Sequence, residues 1–239
     1  MKKFEVSVII PAYNEEKYIG PCLQSLVEQK TKHDFEVVLV DNNSKDNTKK
    51  IGLSFKDKLN IRVITEKQQG RGVARWRGLE EAYGNFLFST DADTVLPKNW
   101  IEDFMEYFRD EKIVAVTSLC DINDSSLKNK ALFKLIHLIA DTSYRIASGH
   151  YCLYGFSYAI RRDIYVKAGK IDKNLNALDD VDLSGRVKKY GKIELVRNLP
   201  VLTSNRRYKN GIVRGVIDYV KPLIQLIVDK ESLAMNSSR

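Results

Sequence analysis

The chain has 239 residues, 44% hydrophobic and 29% charged, which excludes a disordered or fibrous protein and allows one large domain or two small ones. Its 39 lysines and arginines against 31 acids give a net charge of +8, which favours an anionic partner: nucleotide phosphates, acidic lipid headgroups or nucleic acid. Three scattered cysteines, Cys22, Cys120 and Cys152, argue against a disulfide framework or a zinc site and for a reducing, cytoplasmic setting.

Residues 6–10 (VSVII) form a β-branched apolar run that stops at Pro11, the pattern of a buried strand. The run is too short for a signal peptide. Asn14, Glu15 and Glu16 open a helical stretch in which Tyr18, Ile19, Cys22, Leu23, Leu26 and Val27 share one face. Residues 35–40 (FEVVLV) are a second buried strand, and residues 41–50 offer several caps for another helix. Residues 61–64 are a third strand, 70–83 a loop leading into a helix, and 86–89 a fourth strand. This alternation predicts an α/β fold, a mostly parallel sheet with helices on both faces. Ligands bind such sheets beyond the carboxyl ends of the strands. The polar clusters fall there: residues 12–15 after the first strand, Asp41-Asn42-Asn43 after the second, and Asp91-Ala92-Asp93 after the fourth.

Further on, residues 100–108 read as a helix and 113–119 as a strand. Leu127, Ala131, Leu135, Leu138, Ile139 and Ile146 recur at helical spacing, which predicts a core helix; the alternative is a surface helix that meets a lipid acceptor. Residues 149–160 are expected in an acceptor wall. Residues 179–190 read as a helix with Asp179, Asp180 and Asp182 in its first turn, where negative charge is favoured. Residues 211–239 form a tail whose apolar stripe runs from Ile212 to Val228, interrupted by Pro222. The tail either packs back on residues 1–210 or contacts a membrane through residues 211–230. No run of about 18 uncharged apolar residues suggests a spanning helix.

Two carboxylates one residue apart at a strand end can hold a divalent cation such as Mn²⁺ or Mg²⁺, with substrate phosphates completing the shell. The plainer alternative is that Asp91 caps the helix at residues 100–108 and Asp93 is solvated. Asp41 can accept from a base N–H or close an Asx turn. One of Arg71, Arg75 and Arg77 is expected on phosphate or nucleotide, the others on the surface. Neither a P-loop nor a GxGxxG fingerprint is present. No nucleic-acid partner is expected, because the basic residues are dispersed and match no known module.

The stretches SVIIPAYNEEKYI, VVLVDNNSKDNT and GRGVARWRGLEEAYGNFLFSTDAD resemble the family-2 glycosyltransferases of the GT-A fold. The likeness covers nearly the first hundred residues and resumes at residues 155–193, which are similar to the family's acceptor-side block. It implies inverting, metal-assisted transfer of one sugar from a nucleotide-diphosphate sugar to a sugar, lipid-linked or other hydroxyl acceptor. Residues 1–95 would form the donor half and 96–210 the acceptor half. By position, Pro11, Ala12, Tyr13 and Glu15 would line the base and ribose pocket, Asp41 would read the base edge, and Arg75 would match the family's GxxARxxG arginine. Asp93 would ligate the metal, with Asp91 nearer the ribose. Asp180 would be the general base, and Asp179, which would contact substrate, stands where the family more often has Glu. Arg206 and Arg207 would close over the phosphates, or else form a basic turn before the tail. Trp76 replaces a common Asn, and TSNRRYKNG stands where processive synthases carry QxxRW, which favours single transfer. The competing readings are a non-catalytic nucleotide-sugar-binding protein and a sugar-phosphate nucleotidyltransferase.

Overall fold

The computed structural model describes residues 4–123, 126–175, 178–208 and 211, without the side chain of Arg207. Its elements run β1 (Val6–Ala12), α1 (Ile19–Val27), β2 (Phe35–Asp41), α2 (Thr48–Leu53), β3 (Ile61–Thr65), α3 (Arg71–Glu81), β4 (Phe86–Thr90), β5 (Thr94–Val95), α4 (Trp100–Tyr107), β6 (Ile113–Asn123), α5 (Leu127–Ser148), β7 (Ser157–Arg161), α6 (Arg162–Lys167), α7 (Asp179–Val187) and β8 (Lys192–Ser204). A short 3-10 turn, Arg206–Tyr208, follows β8.

The eight strands join one sheet in the order β3-β2-β1-β4-β7-β6-β8-β5. β1 pairs in parallel with β2 and β4, and β2 with β3, as the alternation of strand and helix predicts. Past β4 the sheet is mixed. β7 runs antiparallel to β4 and β6, β5 antiparallel to β8, and β6 parallel to β8. The expectation of a mostly parallel sheet therefore holds throughout the first half, and the second half keeps one parallel pair, β6 with β8.

Every residue of β1 is buried, because both faces of the sheet are covered. Val6, Val8 and Ile10 pack with Ile19 and Leu23 of α1 and Trp100 and Phe104 of α4. Ile9 packs on the other face with Leu79 of α3 and Leu183 and Val187 of α7. Burial of these side chains contributes about 1.5–3 kcal/mol each, the main term holding the layers together. The indole of Trp100 also donates to Ser157 Oγ at 2.9 Å, so its polar edge is satisfied in the core.

Three local expectations change. α1 begins at Ile19 rather than at Asn14, because Asn14 takes a left-handed φ of +54° and ties the β1 end to the β2 end. Its backbone N–H donates to Ser44 Oγ at 3.0 Å, and its side-chain oxygen accepts from the Lys45 N–H at 2.8 Å. α4 starts behind Asn99, so Asp91 does not cap it. α5 is not a core helix: only Phe133 and Asp141 are buried, while Leu127 and Ile146 are 82% and 80% exposed. Helical spacing defines an apolar face but not the direction in which it points. Among the described residues no helix is long and apolar enough to cross a membrane. The tail from residue 212 onward lies outside the described residues.

Candidate functional site

The carboxyl ends of β1 and β4, the loop after β2 and the turn after β8 enclose a cleft of about 360 Å³. Pro11, Ala12, Tyr13 and Glu15 line it from β1, Asn42, Gln69, Gly70, Arg71 and Ala74 from the β2 and α3 side, and Asp91, Ala92, Asp93 and Arg206 from the far side. The three strand-end clusters thus meet at one place. Asn42 holds the wall: its amide donates to Glu66 O and Gln68 O at 3.1 and 2.7 Å and accepts from the Gly70 N–H at 2.8 Å. Gly70 has φ +150°, a conformation that residues with a Cβ rarely adopt, which lets α3 start directly at the cleft.

Asp41 is 3% exposed and does not line the cleft; Asn42 takes that place. Its Oδ1 is buried without a hydrogen-bond partner among the described residues, so the Asx-turn alternative for that oxygen is not seen. A buried acceptor of this kind is costly unless a donor reaches it.

Arg206 crosses the cleft. Its guanidinium donates to both carboxylate oxygens of Glu15 at 2.6 Å, and its Nε lies 3.0 Å from Asp93 Oδ2. The same Asp93 oxygen accepts from Ser204 Oγ at 2.7 Å. Arg206 also stacks over the Tyr18 ring at 5.1 Å, a cation–π contact. Burial raises the Glu15 carboxyl above its ordinary value, against the pull of Arg206. Burial opposes the charge on Arg206, but Glu15 and Asp93 more than offset it and raise its value. In this state a protein cation neutralises two of the acids in the cleft.

Behind the cleft lies a second cation. Arg75 is 1% exposed; its Nη1 donates to Asp179 Oδ2 at 2.7 Å and its Nη2 to Asp91 Oδ1 at 2.9 Å. Burial works against this charge, but Asp179 and Asp91 hold Arg75 above its ordinary value. Arg75 and Asp179 were expected to touch substrate; neither lines the cleft. Asp179 is fully buried as the partner of Arg75 and does not reach the cleft itself. Of the three α3 arginines, the one on the cleft is Arg71, and Arg77 pairs with Glu81 at 2.7 Å.

Asp180, at the start of α7, is 8% exposed and accepts from the Gly155 N–H at 3.0 Å. Burial, then the neighbouring Asp179, raise its carboxyl above the ordinary value, against Arg75 and Arg71. It lies in the layer beside the cleft rather than on its lining. A smaller cavity of about 40 Å³ opens on the other side of the acid pair, lined by Asp91, Asp93, Cys120, His137, Phe156, Thr203, Ser204 and Tyr208. Burial pushes the His137 imidazole down to about 4, so it is neutral near pH 7. Sequence reasoning missed His137, whose neighbours in the chain are mostly apolar, and Ser204, although it lies in the polar run TSNRRYKNG. Arg207 cannot be placed because its side chain lies outside the description. Among the described residues no three or more His, Cys, Asp or Glu side chains gather as a metal cage.

The sequence pattern of Glycosyl transferase family 2 matches residues 7–167, about two thirds of the chain. The chain belongs to glycosyl transferase family 2. The matched span includes Asp91 and Asp93 and stops before Asp179, Asp180 and Arg206. A glycosyltransferase, AglE of Haloferax volcanii, is 42% identical over 101 residues, 41% of this chain and 33% of that protein. The poly(ribitol-phosphate) beta-N-acetylglucosaminyltransferase TarS of Staphylococcus aureus is 41% identical over 106 residues, 43% of this chain and 18% of its own length. These matches span about a third or less of either relative. Among solved structures, the mannosyltransferase PcManGT of Pyrobaculum calidifontis, in complex with GDP-Man and Mn²⁺, superposes with a TM-score of 0.70 at 19% identity, covering 94% of this chain and 65% of that one. Residues 1–349 of S. aureus TarS, in complex with UDP-GlcNAc, give 0.67 at 23% identity over 84% of this chain and 59% of theirs. Both likenesses establish the GT-A-type fold.

Proposed function

We propose that this chain transfers one sugar from a nucleotide-diphosphate sugar to an acceptor hydroxyl, with inversion at the anomeric carbon. The observation that carries the reading is the juxtaposition at one sheet edge of an acid-lined cleft, Glu15, Asp91 and Asp93, with a buried carboxylate of raised pKa, Asp180, beside it. The named activities of the relatives support the same reaction class.

The donor's base would sit between the β1 and β2 ends, where Pro11, Ala12 and Tyr13 line the cleft opposite Asn42. A divalent cation, Mn²⁺ or Mg²⁺, would supply Lewis-acid charge to the leaving diphosphate. The residues fit it: hard oxygen donors from Asp93 and Asp91, at a spot that already draws a cation in Arg206. Two carboxylates leave the remaining positions to phosphate and water. Arg71 on the cleft and Arg206 across it are placed to contact the same phosphates. Asp180 takes the proton from the acceptor hydroxyl, a role worth roughly 10²–10⁴-fold. Arg75 positions Asp91 and Asp179 without touching substrate.

A thermal-shift panel of UDP- and GDP-sugars with and without Mn²⁺ tests the reading. A donor should raise the melting temperature more with the metal than without it. Indifference to every nucleotide would remove the proposal, and binding without transfer would leave only a sugar-nucleotide binder.

A further inference from the structure

α5 turns its apolar stripe away from the protein. At about 100° per residue, Leu127, Leu135, Leu138, Ile139 and Ile146 fall within a sector of about 120°, with Leu132 at its edge. All six are exposed, from 39% at Leu132 to 82% at Leu127. The buried Phe133 lies on the opposite side, and the buried Asp141 lies about 40° beyond the Leu127 edge of the sector. The helix has 22 residues and is therefore about 33 Å long. Lys128, Thr142 and Arg145 share this sector, and an exposed apolar face of this length is uncommon on a protein that meets only water.

The exposed charges on α5 have one sign. α5 carries Lys128, Lys130, Lys134 and Arg145, and its one acid, Asp141, is 2% exposed and accepts from the Tyr154 hydroxyl at 3.0 Å. At the helix C-terminus Lys188 reaches Ser148 O at 2.7 Å, and Arg197 stands 3.8 Å from Asp141. Of the α5 cations, Lys134 is paired, to Asp121 at 3.0 Å. A second copy of α5 would meet the same cations and be repelled. The chain's own segment 212–228 carries Arg214 and Lys221 against Asp218, so it does not complement them either. An anionic lipid surface complements both the leucines and the cations.

We infer that the outer face of α5 docks the protein on an anionic membrane surface, Leu135, Leu138 and Ile139 entering the headgroup–acyl boundary and Lys128, Arg145 and Lys188 contacting the headgroups. The inner face of the same helix supplies His137 to the cavity beside Asp91 and Asp93. The lipid surface then lies about one helix diameter, 10–12 Å, from the acid pair. An acceptor carried in that surface would meet the site from the α5 side, a consequence that rests on the transferase reading.

The test uses the full chain in cosedimentation with vesicles of phosphatidylcholine alone and with phosphatidylglycerol added. The protein should bind the anionic vesicles at least ~10-fold more tightly, and added salt should weaken the binding. L135E/I139E, at exposed positions, should lose binding ~10-fold or more while keeping its melting temperature and its affinity for donor nucleotide. In contrast, I224E/I227E in the tail should leave most of the binding in place. No binding to anionic vesicles overturns the inference. So does binding that survives L135E/I139E, binding lost only in I224E/I227E, or a self-association that L135E/I139E abolishes. Nucleotide affinity is measured separately, so a protein that docks but binds no nucleotide removes the transferase reading and leaves the docking one.

Discussion

At the scale of single residues, Asp180 sets function against stability. Its carboxyl is raised above the ordinary 3.8 by burial and then by Asp179. A raised acid favours folding in its neutral form. That contribution is full below pH 3.8 and is lost as pH rises through the folded value, so above that value the ionised group costs stability. Asp180→Asn should melt higher, by roughly 2–4 °C for each kcal/mol relieved. The same variant should keep donor affinity and lose transfer by ~10²–10⁴. The acid limb of transfer should sit above pH 3.8; a limb at or below it, or a variant that still transfers fully, removes Asp180 as base. Arg206 makes the opposite trade. It holds Glu15 and Asp93 in the free protein, so a metal must displace it. Arg206→Ala should bind Mn²⁺ alone more tightly, by ~10-fold for about 1.4 kcal/mol, yet transfer more slowly. Titration by Mn²⁺ electron paramagnetic resonance reads this directly, and unchanged or weaker metal affinity would show that Arg206 does not compete.

At the scale of elements, the acid-bearing strand end of β4 was legible because buried apolar runs end in polar clusters only where the sheet edge is used. The partners of those acids were not legible. Arg75 and Asp179 are 104 positions apart, and Arg206 and Glu15 are 191 apart. No local pattern encodes a meeting across such distances. The direction of the α5 stripe was hidden for a related reason: periodicity is a property of one helix, whereas burial depends on what packs against it. Gly155 joins two elements and makes the coupling testable. It donates to Asp180, and a Cβ placed on it would stand 2.6 Å from Arg75 Nη2. Gly155→Ala should cost about 1–3 kcal/mol by overpacking and lower kcat with it. Gly185→Ala in α7 meets nothing within 4 Å and should be neutral or stabilising by about 0.5–1 kcal/mol. Equal denaturation midpoints for the two variants would contradict the crowded path from Arg75 to Asp180.

At the scale of the whole molecule, the first half was readable as alternating strand and helix, while in the second half several elements were readable but their pairing was not, because β7 runs antiparallel to both its neighbours and the strands join out of chain order. β4 pairs with β1 on one side and with β7 on the other, so the sheet runs unbroken from the donor half at residues 1–95 into the acceptor half at 96–210. We propose that these halves form one folding unit rather than two domains, since cutting between them exposes the length of β4 as an open edge. The two tryptophans report on this separately. Trp100 is fully buried on the α4 face, and Trp76, on α3, packs against the opposite core. In Trp76→Phe, fluorescence follows the Trp100 side; in Trp100→Phe, it follows the Trp76 side. Each fluorescence curve in guanidinium should share its midpoint with the far-UV circular dichroism of the same variant, as a cooperative transition requires. The Trp100→Phe variant should unfold at lower denaturant, because it loses both packing volume and the bond to Ser157. A Trp76 signal that changes well before the loss of helix and sheet would mean that the α3 face opens by itself. The cleft would then be built on two units whose relative stability, rather than a single rigid sheet, sets the positions of Asp91 and Asp180.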